Sequence, residues 1–204
     1  MKNTVLKRIA DGFLAGIMIT IGGTVLLSCE NRYVGAALFT IALLVICLRG
    51  FSLYTGKIGF IAASHTKRDF SVIFLGLLGN ALGTVLFGCA VRYSLSSLCQ
   101  RAFEMCSLKL ALDLPVAFIR AAFCGILMYI AVEIYKDNKS IVGILFCVPV
   151  FILCGFEHSI ADMFYFAAAG IYTFESFLFI LTVVIGNSLG ALLVPMLLKI
   201  RERS

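Results

Sequence analysis

Six stretches of about 20 apolar residues, each the length a helix needs to cross the hydrocarbon core of a bilayer, take up almost the whole chain. They run roughly over residues 9–28, 33–51 continuing after a break to 64, 70–91, 112–134, 141–169 with a break, and 176–199. In hydrocarbon every backbone N–H and C=O must be satisfied within the protein, which leaves helices and closed barrels as spanning forms. Runs this long fit helices, so we expect an all-α membrane protein with a single transmembrane domain over residues 1–204. Composition agrees, since 61% of residues are hydrophobic and only 14% charged, against about 25% charged in an ordinary soluble domain. The spans leave no room for a soluble domain, a metal-binding tail or a nucleic-acid module.

The net charge of +6 is then explained by location, not by nucleic acid. Placing the N-terminus in the cytoplasm puts Lys2, Lys7, Arg8, Lys67, Arg68, Lys136, Lys139, Lys199, Arg201 and Arg203 on that side. Arg32, Arg92, Arg101, Lys109 and Arg120 fall in or beside the opposite loops. By the positive-inside rule both termini are expected in the cytoplasm of a multi-pass cell-membrane protein embedded among lipids. The first apolar run ends in Leu26-Leu27-Ser28-Cys29-Glu30, a poor signal-peptidase site, and reads as a span. Eight cysteines show no paired metal-ligand spacing and the chain has two histidines, so neither a metal nor another cofactor is expected.

Two polar interruptions mark where function is to be sought. The stronger is Gly155-Phe156-Glu157-His158-Ser159-Ile160-Ala161-Asp162-Met163-Phe164, and the other is Leu53-Tyr54-Thr55-Gly56-Lys57. A carboxylate and an imidazole at membrane depth are costly, and such residues mark functional sites by default.

An internal duplication relates the two. Gly79-Asn80-Ala81-Leu82-Gly83 in the third span recurs as Gly186-Asn187-Ser188-Leu189-Gly190 in the sixth. Each half, roughly 1–100 and 110–204, reads as intact helix, broken helix, intact helix. Three spans is an odd number, so the second copy enters the membrane from the opposite side as an inverted repeat. The breaks should face the interior, where positive half-helix N-termini favour an anion. Asn80 and Asn187 are expected to bond across helices and support the breaks, and the glycines to let helices approach.

The two breaks and the two Gly-Asn-x-Leu-Gly segments, in this order and on these spans, resemble the formate/nitrite transporter family over essentially the whole chain. The resemblance implies an aquaporin-like fold of six helices with the second and fifth broken, a homopentamer, and a pore in each protomer for formate, nitrite or hydrosulfide. By motif position His158 is similar to the family's central pore histidine and Thr55 to its hydrogen-bonding partner. Phe39, Leu43 and Phe151 correspond to one hydrophobic constriction, Leu53 and Met128 to the other, and Lys7 and Lys109 to vestibule lysines. The chain departs from the pattern at Ser52, where an acid is usual, at Lys57, where a small polar residue is common, and at Gly125 and Asp162, which replace asparagines.

A bare anion entering a dry constriction faces an idealised desolvation cost of order 20 kcal/mol, whereas a neutral acid bears only that of a polar group. Hydrophobic rings with one titratable group therefore point to passage of the anion with a proton, formate foremost, with His158 supplying or stabilising that proton. Glu157 is expected to serve structure by binding backbone N–H groups of the opposite break. Lys57 has three readings: neutralising Asp162, attracting anions, or reaching the cytoplasmic surface. A neutral-solute channel would share the architecture, but the breaks lack paired Asn-Pro-Ala motifs. An enzyme would need a nucleophile and base or a metal cluster, and neither is legible.

Overall fold

Asn31 and Gly50 bracket the first strongly specified helix. In the computed structural model, which describes residues 2–63 and 66–203, α1 (Lys2–Ser28) is followed by α2 (Arg32–Arg49). The Asn31 side chain accepts from the N–H groups of Tyr33 and Val34, and Gly50, at φ 71°, stops the helix in the left-handed conformation, which glycine adopts without penalty. A short extended stretch leads into α3 (Tyr54–Lys57), one turn that continues as a 3₁₀ segment, Ile58–Ala62. Thr66 and Asp69 form a capping box that starts α4 (Lys67–Ser94). Then come α5 (Ser96–Leu110), α6 (Leu114–Asn138), α7 (Val142–Leu153), α8 (Ser159–Ala169) and α9 (Phe174–Arg203).

Among the described residues α1, α2, α4, α6 and α9 are long and apolar enough to cross a membrane, whereas α7 and α8 have only 12 and 11 residues. The first break therefore follows a full-length α2, while the second divides two short helices. Residue 64, where the second predicted span ends, and the side chains of Lys2 and Arg203 lie outside the described residues. One expectation needs correcting: the loop around Arg101 and Lys109 is the helix α5. Its buried residues Leu98, Ala102 and Cys106 recur every four positions and lay one face onto the bundle, chiefly against α8.

The bundle is built from two tight pairs, α1 on α4 and α6 on α9. A methyl group at Gly16 would stand 2.6 Å from the Asn80 carbonyl oxygen, and one at Gly190 would collide with the backbone of Ala122. Small residues thus bring the backbones into contact, as membrane helices need in the absence of a hydrophobic drive between them. Three arginines close helix ends. Arg101 donates to the Leu27 carbonyl at the end of α1, Arg32 to Ile152 at the end of α7, and Arg92 to Ala169 at the end of α8. Each satisfies a terminal carbonyl and places positive charge at a helix C-terminus.

Candidate functional site: two clamped breaks and the groups between them

Irregular backbone inside a helical bundle needs polar partners, and two buried asparagines supply them in matching fashion. Asn80 Oδ1 accepts from the Tyr54 N–H at 2.9 Å, while its Nδ2 donates to the carbonyls of Gly12 and Ser52, both at 2.8 Å. Asn187 Oδ1 accepts from the Ser159 N–H at 2.9 Å, and its Nδ2 donates to Ala121 and Glu157, both at 2.8 Å. Each asparagine therefore holds the first N–H of a short helix, the carbonyl two residues before it, and a carbonyl of a long neighbouring helix. The correspondence pairs Tyr54 with Ser159 and Leu53 with His158, so Thr55 is not the positional twin of the histidine.

Thr55 and His158 nevertheless meet. Thr55 Oγ1 lies 2.8 Å from His158 Nε2, joining the starts of α3 and α8. His158 is the N-cap of α8, and its Nδ1 accepts from the Ala161 N–H at 3.1 Å. With Nδ1 occupied as an acceptor, the ring proton belongs on Nε2, which donates to the threonine oxygen. The imidazole is thus fixed on both sides. Phe151 stacks on it, with centroids 5.5 Å apart and planes at 25°, and Phe39 meets Phe151 edge-on at 6.0 Å.

A cavity of about 500 Å³ and one of about 480 Å³ open near this centre without sharing a lining residue. Leu43, Leu53, Gly56 and Lys57 line the first, with Lys136 and Lys139 also on its wall. Phe151, His158, Glu157, Asp162 and Lys109 line the second, together with Arg32, Arg101 and Arg120. Met128 is buried in the core and lines neither.

The charged residues are arranged differently from expectation. Lys109 is ion-paired with Glu157 and, at 2.9 Å, with Asp162. Burial works to lower the Lys109 pKa, but the two carboxylates outweigh it and hold the ammonium above its ordinary value. Lys109 is therefore engaged rather than free to draw in an anion, and Glu157 serves it instead of backbone N–H groups of the opposite break. Lys57 does not neutralise Asp162: it lines a third cavity of about 420 Å³ with Lys7, Arg8, Arg68 and Asp11. Lys7 is exposed there. None of this pairing was legible locally, because Lys109 and Glu157 stand 48 residues apart. Likewise, the spacing alone did not single out Arg32, Arg101 and Arg120 as lining the His158 cavity. The cysteines are free, Cys99 and Cys106 among them.

A bundle of membrane-length apolar helices with two clamped interior breaks defines a multi-pass membrane channel or transporter. The family model described as formate/nitrite transporter matches residues 1–200, and the chain belongs to that family. It is a transporter by that membership, not an enzyme. An uncharacterized transporter of Bacillus subtilis (strain 168), YrhG, is 27% identical over 179 residues, covering 78% of this chain and 67% of that protein. Formate-nitrite transporter 2 of Toxoplasma gondii (strain ATCC 50611 / Me49) is 24% identical over 190 residues, 78% of this chain and 41% of that protein. Among solved structures, an FNT family ion channel superposes with TM-score 0.78 at 24% identity, over 92% of this chain and 85% of that one. A pentameric formate channel with formate bound gives TM-score 0.74 at 21% identity over the full length of both. The all-helical fold is thus that of these channels.

Proposed function

We propose that the chain conducts small monovalent anions, formate foremost and nitrite or hydrosulfide next, together with a proton or as the neutral acid. The observation that carries this reading is the Thr55–His158 hydrogen bond between the starts of two short helices, beneath the Phe39–Phe151 ring pair. Helix N-termini favour negative charge, and the Phe151 ring covers one face of a single fixed imidazole. The similar pentameric formate channel supports formate as the first substrate to try and a homopentamer as the assembly.

In this reading the chain crosses the cell membrane six times as two inverted three-helix repeats, with both termini cytoplasmic. Leu43, expected beside Phe39 and Phe151 but lining the first cavity with Leu53, narrows one side of the centre with Leu53 and Met128, and Phe39 and Phe151 narrow the other. Lys7 and Lys57 draw anions on the cytoplasmic side. Arg32, Arg101 and Arg120 do so on the opposite side, in place of the paired Lys109. Asn80 and Asn187 hold the breaks, and the Glu157–Lys109–Asp162 cluster supports the second one. A dry ring pair admits a protonated acid far more readily than its anion, so low pH should favour joint movement of proton and anion.

Flux in proteoliposomes tests the proposal, with formate, nitrite, hydrosulfide, acetate and lactate compared at acidic and neutral pH. Formate uptake that rises at acidic pH and is lost in His158→Asn is the expected result. Uptake of glycerol with no anion movement at any pH would establish a neutral-solute channel instead. A stable monomer in mild detergent would refute the assembly.

A further inference from the structure

The charge count beside His158 does not close. Lys109 offers one positive charge to two carboxylates, Glu157 and Asp162, which are 3% and 1% exposed. Asp162 Oδ1 is bound by the lysine, but Oδ2 is buried without a hydrogen-bond partner in the protein. Both carboxyls bind the same ammonium, and ionised carboxylates are hydrogen-bond acceptors only. A proton on Oδ2 neutralises the carboxyl that the single ammonium leaves uncompensated.

Among the described residues no cation other than Lys109 is ion-paired with either carboxylate. Lys109 and Cys106 face the pair from α5, Cys124 from α6, Tyr165 from α8, and His158 adjoins Glu157 in the loop. Thiols and a phenol are ordinarily neutral at pH 7. Glu30, Arg32, Arg101, Glu104 and Arg120 also line the cavity. Two of those arginines are committed to the carbonyls of Ile152 and Leu27. An unpaired buried carboxylate is strongly disfavoured and takes up a proton in preference to remaining charged.

We propose that the Glu157–Lys109–Asp162 cluster holds one exchangeable proton at neutral pH, and that it loads this proton onto an anion approaching His158. The loading step balances as one O–H bond broken on the carboxyl and one formed on the anion, giving the neutral acid. The carboxylate left behind is reprotonated from water in the roughly 480 Å³ cavity on which Glu157 and Asp162 both border. The loading role rests on the anion-pore reading above; the exchangeable proton does not.

Infrared spectroscopy of the purified protein in lipid, with hydrogen–deuterium exchange, reads the proton directly. The wild type should show an exchange-sensitive protonated-carboxyl band at neutral pH that disappears in both Asp162→Asn and Glu157→Gln, because in each the remaining acid pairs one-to-one with Lys109. No such band in the wild type, or its survival in both variants, overturns the exchangeable proton. Flux tests the loading. Deprotonation leaves the cluster at net −1, which repels an approaching anion and leaves no proton to load. Wild-type formate flux should therefore fall as the cluster deprotonates at rising pH, and Asp162→Asn should lack that component. An unchanged pH profile in the variant overturns the loading role. A band that behaves as expected in a protein moving no anion supports the exchangeable proton and refutes the pore reading separately.

Discussion

Replacing Asn80 or Asn187 by alanine should destabilise the fold by similar amounts, because the two side chains make the same three bonds. Each holds one N–H at 2.9 Å and two carbonyls at 2.8 Å, and both side chains are fully buried. Hydrogen bonds between membrane helices average about 0.6 kcal/mol and reach about 1.7. Three of them give roughly 2–5 kcal/mol per asparagine. A water that filled the vacated space and bridged the freed groups would hold the loss near the lower figure. Asn31→Ala is the comparison, since Asn31 caps α2 at a solvent-exposed end with two backbone bonds and should cost about 1 kcal/mol. Equilibrium unfolding in mixed micelles of sodium dodecyl sulfate and a mild detergent measures all three. A loss below about 1 kcal/mol for both buried asparagines, or a large loss for one with none for the other, would refute the matched-clamp reasoning.

Lys109→Met should leave Glu157 and Asp162 without their cation and cost about 3–5 kcal/mol, measured in the same unfolding assay, with part of the loss recovered when Glu157→Gln is added. Phe151→Ala removes a buried ring that packs on both Phe39 and His158. It should cost about 3–5 kcal/mol and raise the ratio of lactate to formate flux in proteoliposomes. Thr55→Val keeps the shape of the side chain but removes the acceptor for His158 Nε2, so it should cost about 1 kcal/mol in stability and lower formate flux at every pH.

The membrane helices were legible because the bilayer imposes a length, and α1, α4, α6 and α9 each extend a few residues beyond the apolar runs at one or both ends. The breaks were legible for a related reason: Glu157 and His158 have no place in hydrocarbon unless something nearby satisfies them. The repeated asparagines announced a shared structural task, and Asn80 and Asn187 carry it out bond for bond. What the sequence hid is the identity of partners across the bundle. Lys109 lies on α5, whose mixed composition gives no spanning signal, and only the packing of α5 against α8 brings its ammonium to Asp162. The conformation after Lys57 was equally hidden, since Ile58–Ala62 is apolar enough for any buried helix, and its 3₁₀ segment packs against α9 and Tyr129 of α6, partners distant in sequence.

That 3₁₀ segment has an electrical consequence. α8 is an uninterrupted α-helix of 11 residues closed by Gly170, whereas α3 is a single turn before the hydrogen-bonding pattern tightens. Aligned peptide dipoles add along a helix, so the longer, regular α8 projects the stronger positive potential from its start. The two short helices are mechanically matched by their asparagines but electrically unequal. The helix-dipole contribution is therefore larger at the His158 break than at the Thr55 break.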